Sequence, residues 1–188
     1  MGKFILGLIC GLLAFPILAT AYLLSGRAPA GVTDRPFPLE QYIAGAALES
    51  RVHRAAPQRD ASSFSAANLM AGAQAYRRGC GCHGLPGETM LGPQPKMYPE
   101  PPQLFTPDGS VTDDPVGVTY WKIRNGIRMT GMPSFKAVLS DEQMWQIAAL
   151  LARADRLPPD VISALKQPFP ATPPAAEDQH GAPPSRKP

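Results

Sequence analysis

The chain has little charge of either sign and no concentrated run of it. Charged residues make up 18% of its 188 residues, and the formal net charge is +3. Nucleic-acid binding needs a dense basic stripe, which no run of Lys or Arg provides here, so we expect no nucleic-acid partner. This length is sufficient for one compact domain with appendages, but not for two substantial cores.

Sustained alternation of polar and apolar residues is also absent, and so is any internal repeat. A half-buried sheet would require such alternation, so the sequence predicts an all-α protein. Many of the 23 prolines fall within 29–38, 93–102 and 168–188. Proline opposes both helix and central strand, which makes these segments loops or tails.

Cysteine is scarce. Cys10 lies in an apolar run, which leaves Cys80 and Cys82 for chemistry. A bridge between these two would close a very small, strained ring around one glycine. We therefore expect no structural disulfide.

Charge is missing altogether over the 21 residues from Phe4 to Leu24. At 1.5 Å per residue this run matches the hydrocarbon core of a bilayer, about 30 Å thick, so residues 1–27 are predicted to be a membrane anchor. Lys3 precedes the span and Arg27 is the only nearby charge after it, so the positive-inside bias towards a cytoplasmic N-terminus is weak; this orientation places the rest of the chain outside the cytoplasm. The alternative is a signal peptide cleaved after the small residues at 19–21; either way the domain is exported.

The remaining sequence divides into three parts. Residues 65–166 form the predicted compact domain, and 167–188 lack apolar residues to bury, which predicts a disordered, proline-rich tail. Residues 28–64 read as a linker with an amphipathic helix at 39–54. The apolar residues expected broadly on one side of this helix are Leu39, Tyr42, Ile43, Ala46, Ala47 and Val52.

Three main helices are predicted inside the compact part. The first covers 65–79 and leads to the cysteines, and the second lies within 112–126. The third, at 140–154, begins with a capping box of Ser140 and Gln143. Three helices are too few for so much loop, and a large apolar cofactor at the centre would supply the missing core.

The stretch YRRGCGCHGLPG, at 76–87, carries the chemistry. A C-x-x-C-H motif attaches haem covalently, but here Cys80 and Cys82 are only two residues apart. His83 follows at once, and it is the only histidine in the compact part. Histidine nitrogen is a common axial ligand of haem iron, often paired with a methionine sulfur.

Met132 is the best candidate for that sulfur. The motif GMPSF places it between a glycine, which lets the backbone approach the ring, and a proline, which fixes the loop. Met129 is the nearest competitor. Met90 and Met97 lie in the proline-rich loop, where gap-filling contacts are expected.

The order of these motifs resembles that of a class I c-type cytochrome, specifically a single-haem one on an N-terminal membrane anchor. The resemblance covers about residues 66–157 and rests on the C-H motif, the proline-rich loop, YWKIRNGI, GMPSF and LSDEQMWQIAALL. It implies a class I cytochrome c fold with long loops around one haem. It also implies that His83 is the proximal and Met132 the distal iron ligand.

Two further features are implied by the resemblance alone. The first and last helices of the family cross through a glycine and an aromatic residue. A prolyl carbonyl usually accepts the other N–H of the proximal histidine. The candidates are Gly72, Tyr76 and Trp145 for the crossing, and Pro93, Pro101 and Pro102 for the carbonyl.

The spacing of the cysteines departs from the family pattern. Loss of one residue rotates the first cysteine by about 100°, and positions i and i+2 do not share a helical face. The sequence therefore predicts one haem c, attached mainly through Cys82. A thioether from Cys80 would require the glycines at 79 and 81 to distort the backbone.

Electron transfer is the predicted function, because an iron with both ligands filled has no position for substrate. The chain would be a carrier rather than an enzyme. Its expected location is a bacterial inner membrane, with one pass through the bilayer and the haem domain on the periplasmic side. Its partners would be membrane or periplasmic redox proteins. Four basic residues would steer an acidic partner if they ring the haem edge; the alternative is that they form an ordinary solvated surface. They are Lys122, Arg124, Arg128 and Lys136.

Two other functions stay open at this point. Cys80, Cys82, His83 and a methionine are soft ligands suited to Cu(I), so a copper relay would explain the odd spacing. It would not explain the proline-rich loop or the G-M-P context. A haem sensor or peroxidase would need Met132 to release the iron, and the sequence places no catalytic acid or base there.

Overall fold

The structure is a computed structural model that describes residues 1–88, 97–106 and 111–167. β pairing in these ranges is limited to an isolated bridge between Leu85 and Glu88. The prediction of an all-α protein is confirmed. The tail predicted to be disordered lies, from residue 168 onward, outside the described residues. The helices are α1 Gly2–Leu24, α2 Glu40–Ala55, α3 Ala66–Gly79, α4 Val116–Asn125, α5 Asp141–Leu151 and α6 Pro159–Lys166, with short 3-10 turns at Ala61–Ser63 and Gly81–His83.

Helix α1 is the predicted apolar segment. It has 23 residues and a mean hydropathy of 2.4, and none of its residues is buried. At 1.5 Å per residue it is about 34 Å long, enough to cross a bilayer. An apolar N-terminal helix is therefore confirmed, while the choice between anchor and signal peptide stays a prediction.

Helices α3 and α5 begin with the same kind of cap. The Ser65 side chain accepts from the backbone of Asn68, and the Asn68 side chain accepts from the backbone of Ser65. In α5 the reciprocal pair is Ser140 and Gln143, as the sequence predicts. Such a box satisfies two of the backbone N–H groups that a helix start leaves unpaired.

Helices α3 and α5 cross at Gly72. A Cβ atom at this position would overlap the carbonyl oxygen of Gln146 in α5. Glycine at the crossing is therefore confirmed. Tyr76 packs against Phe105, and Trp145 stacks on Tyr120 of α4 with ring centroids 4.0 Å apart; the aromatic residue at the crossing stays a prediction.

We expect a Gly72→Ala variant to lower the free energy of unfolding by about 1–3 kcal/mol, the usual cost of overpacking a close contact. The reason is that the added methyl meets backbone, which cannot rotate away. Gly45→Ala in α2 is the matched control, because nothing lies within 4 Å of a Cβ there. Thermal unfolding followed by circular dichroism measures both, and equal melting temperatures would contradict the crossing.

Helix α6 was missed by the sequence analysis, which predicted three main helices for the domain. Its buried residues are Val161, Ala164 and Leu165, and it packs on α3. The signal was present in the sequence. Pro159 occupies the first helical position, where proline is favoured, and the buried residues are spaced three and four apart.

Helix α2 packs on α4, but not with the side that the sequence suggested. Val52 is fully buried, whereas Tyr42 and Ile43 are 74% and 61% exposed. Nine residues separate Ile43 from Val52, which at about 100° per residue places them on opposite sides of the helix. Val52 therefore does not share the apolar face of Ile43. Close contact continues at Gly117 of α4, where a Cβ would overlap the carbonyl oxygen of Pro57.

Candidate haem site

A cavity of about 410 Å³ opens beside the end of α3. This volume is within the range of pockets that hold small molecules and cofactors, about 300–1,000 Å³. The structure brings all four predicted site residues to its wall, together with the loop residues on either side of Met132: Cys80, Cys82, His83, Met132, Ile127, Thr130, Gly131, Pro133 and Phe135.

His83 ends the 3-10 turn at Gly81–His83, and its ring is held in one orientation. Nδ1 lies 2.9 Å from the carbonyl oxygen of Pro102. Because a carbonyl only accepts hydrogen bonds, Nδ1 carries the hydrogen and donates it, which leaves the lone pair of Nε2 for a metal. Of the three prolines that the resemblance offered, Pro102 is therefore the partner. Pro93 lies outside the described residues.

The chain reverses directly after His83. Gly84 has a φ of +75°, in the left-handed region, and a Cβ there would collide with the side chain of Gln103. The hydroxyl of Tyr76 in α3 donates to the carbonyl oxygen of Gly84 at 2.9 Å. Glycine is needed here for conformation and for space, and the hydrogen bond ties the turn to α3.

Met132 is half-buried in a loop that is fixed by its own hydrogen bonds. Its backbone N–H donates to Thr130 Oγ1 at 3.1 Å, and that hydroxyl donates to the carbonyl oxygen of Ile127 at 2.7 Å. The N–H of Ile127 donates in turn to the carbonyl oxygen of Met132 at 3.2 Å. These hydrogen bonds fix the loop that presents the Met132 side chain to the cavity.

The other methionines occupy different places. Met129 has a φ of +61° and is 90% exposed, so it faces solvent rather than the cavity. Met97 lines the cavity, with its sulfur against Gly131. Its gap-filling role is consistent with this packing. Met90 lies outside the described residues.

The two cysteines of the motif have opposite surroundings. Cys80 is 6% exposed at the end of α3, and its N–H donates to the carbonyl oxygen of Tyr76 at 2.9 Å. Burial, and to a lesser extent the negative charge of a Cys82 thiolate, raises the pKa of the Cys80 thiol to about 12. Cys80 therefore stays protonated at neutral pH. Cys82 is exposed, and both thiols are free.

Neither glycine beside Cys80 adopts a conformation reserved for glycine. The φ of Gly79 and the φ of Gly81 are not positive. A Cβ at Gly79 would instead collide with the ring of Phe135. Gly79 thus provides space for packing and does not turn Cys80 towards Cys82.

Sequence reasoning missed two contributions of helix α2 to the site. Leu48 lines the cavity, and Glu49 pairs with Lys122 of α4, which also lines the cavity. The Lys122 ammonium lies 3.4 Å from Glu49 of α2 and 3.3 Å from Asp114. No local sequence signal points to this contact, because it depends on how α2 docks on α4.

Residues 67–151 match the family model described as cytochrome C oxidase, cbb3-type, subunit III. This segment is a cytochrome c domain. The match spans α3, α4 and α5 and includes every predicted site residue. No curated protein and no solved structure gives a significant match to the chain. A cytochrome c domain implies covalent haem c and electron transfer, in agreement with the predicted class of function.

The residues of the cytochrome c domain fit a haem c. A largely apolar cavity is lined by one imidazole whose tautomer is fixed, two thiols and two methionines, Met97 and Met132. Within the described ranges, no three His, Cys, Asp or Glu side chains form a ligand set for a metal ion. This arrangement suits an iron held by a porphyrin and two axial ligands better than an ion held by protein ligands alone.

Proposed function

We propose that the chain is a membrane-anchored electron carrier, with one haem c ligated by His83 and Met132. The observation that carries the proposal is that both side chains line one apolar cavity while Pro102 holds Nδ1 of the imidazole. Haem c with these ligands supplies one-electron transfer between ferrous and ferric iron, at a potential that methionine raises.

The protein's own residues have three roles in this proposal. Pro102 orients the imidazole, and the hydrogen bonds at Thr130 orient the loop of Met132. Leu48, Ile123 and Phe135 give the cavity apolar wall residues, which would keep water away from a bound haem. A dry, rigid wall keeps the reorganisation around a changing charge small, which suits repeated transfer of single electrons.

Met132→Ala tests the distal ligand. We expect the variant to lose the sulfur-to-iron charge-transfer band of the ferric protein and to have a lower reduction potential, because methionine ligation raises it. Met129→Ala is the matched control, since that side chain is 90% exposed. Absorption spectra and a redox titration measure both variants. An unchanged band in Met132→Ala would exclude Met132 as the ligand.

The same spectra decide between haem and copper. A reduced protein with the low-spin bands of a c-type haem supports the proposal. A colourless protein with stoichiometric copper would instead support the Cu(I) relay through Cys80, Cys82 and His83, and would overturn the haem proposal.

We infer a bacterial inner-membrane location with a single pass by α1 and the haem domain on the periplasmic side. The length and hydropathy of α1 support the span. Donor and acceptor would then be membrane or periplasmic redox proteins. The matching family is described as an oxidase subunit, so a membrane-bound oxidase is a partner that fits this assignment.

The basic residues near the cavity divide into two pairs. Lys122 and Arg124 form ion pairs within the protein, the latter with Asp141 at 2.8 Å. Arg128 and Lys136 are exposed on the loop that carries Met132. We infer that this second pair steers an acidic redox partner towards the haem edge. The first pair mainly stabilises the fold.

A further inference from the structure

Helix α2 has a second apolar face that the cytochrome c domain does not cover. Leu48 and Val52 are directed to the domain, where they meet the cavity and α4. The outer face of α2, defined as Leu39, Tyr42 and Ile43, is 67%, 74% and 61% exposed. Exposed apolar side chains that lie together on one helix face mark a surface that binds another apolar partner.

Contacts at the start of α2 place this outer face next to the end of α1. The ring of Phe37 meets the ring of Tyr22 edge-on, with centroids 6.1 Å apart and planes at 71°. Tyr22 belongs to the last turn of α1. The Phe37 N–H donates to Glu40 Oε2 at 2.8 Å, which connects the same residue to the first turn of α2.

The position of Tyr22 along α1 indicates which layer of the bilayer surrounds the start of α2. If α1 spans the bilayer, its last turn reaches the boundary between the hydrocarbon core and the headgroups, because the helix is about 34 Å long. Tyrosine is enriched at this boundary. Phe37 contacts Tyr22, and Leu39 follows two residues later, so the outer face of α2 begins at the same level.

We propose that the outer face of α2 lies in the interfacial layer of the bilayer that α1 spans, with lipid as its occupant. Interfacial amphipathic helices bury their apolar side to a depth of about 5–10 Å. Gln41 is exposed and points about 200° away from Ile43 around the helix, on the side of α2 that carries Leu48 and Val52 and therefore away from the lipid. The inference rests on the proposed membrane anchoring.

The contact has a consequence for electron transfer. Further along α2, Leu48 lines the cavity wall and Glu49 forms the ion pair with Lys122 of α4. A helix fixed in the interface would therefore hold the haem cavity close to the membrane surface in one orientation. This geometry favours a partner that is itself embedded in the membrane over one that diffuses freely.

The test uses the full-length, haem-loaded protein in lipid nanodiscs, with Cys10→Ala as the background. A bimane fluorophore is attached to Ile43→Cys, to Gln41→Cys, or to Leu13→Cys in the middle of α1. Emission is compared between nanodiscs of ordinary and brominated lipids, so that quenching by haem cancels in the ratio. The background protein without an added cysteine corrects for labelling at Cys80 or Cys82.

We expect bromine to quench the probes at 13 and 43 and to leave the probe at 41 bright. Quenching at 13 without quenching at 43 would overturn the interfacial position of α2 and leave the anchor intact. Absence of quenching at 13 would overturn the anchor and, with it, this inference. Equal quenching at 41 and 43 would contradict the assigned orientation of α2.

Discussion

A His83→Ala variant is expected to lack the low-spin spectrum of a c-type haem. His83 is the one histidine on the cavity wall, and its Nδ1 donates to Pro102, so Nε2 is the nitrogen available to iron. Loss of a residue that only supports a metal ligand lowers metal affinity by about 10–100-fold. Loss of the ligand itself should lower the fraction of low-spin protein by at least roughly tenfold. Pyridine haemochrome and absorption spectra of the purified protein measure this fraction.

His53→Ala provides the control for this experiment. The His53 side chain is 60% exposed and lies 3.4 Å from Glu49. It does not line the cavity. An exposed substitution of this kind changes stability by less than about 0.5 kcal/mol, so haem content and spectrum should match the parent. A low-spin spectrum of normal intensity in His83→Ala would refute His83 as the proximal ligand.

The second large effect is expected at the cysteines, where two similar substitutions should have opposite outcomes. Cys82→Ala should lose covalent haem, because Cys82 directly precedes His83 and is exposed. Cys80→Ala should keep it, because Cys80 is 6% exposed and the φ values of its neighbouring glycines are not positive. The loss of the small buried Cys80 side chain should cost about 1 kcal/mol of unfolding free energy, which leaves the fold intact.

Haem staining after denaturing electrophoresis shows which variant retains covalent haem. The pyridine haemochrome band of the parent should also report one remaining vinyl group, since each thioether saturates one vinyl. A parent spectrum with both vinyl groups saturated, together with covalent haem in both variants, would show that Cys80 also forms a thioether. That result would contradict attachment mainly through Cys82.

Several parts of the fold were predictable because their signals act between near neighbours in the chain. The capping boxes at Ser65 and Ser140 involve residues three positions apart. The apolar helix α1 follows from an uninterrupted uncharged run. Gly72 was a candidate for the helix crossing through the family resemblance, and its contact with Gln146 confirms it.

Other features escaped the sequence analysis for two different reasons. Helix α6 had local signals at Pro159 and Val161 that were not used. The docking of α2 had none: spacing puts Ile43 and Val52 on opposite sides of the helix, but only the contact with α4 shows that the Val52 side is the buried one. Periodicity reports that a side chain is apolar, but not which of two apolar surroundings it enters.

The sequence by itself determined the all-α class, the apolar N-terminal helix and the four residues proposed to hold haem. Tertiary structure decided that Pro102, among three prolines, accepts from His83. It also decided that Met129 faces solvent while Met132 lines the cavity. The physical reason is that helix caps and uncharged runs are set by residues a few positions apart. A carbonyl 19 residues from its histidine, by contrast, meets it only when the loops between the helices have packed.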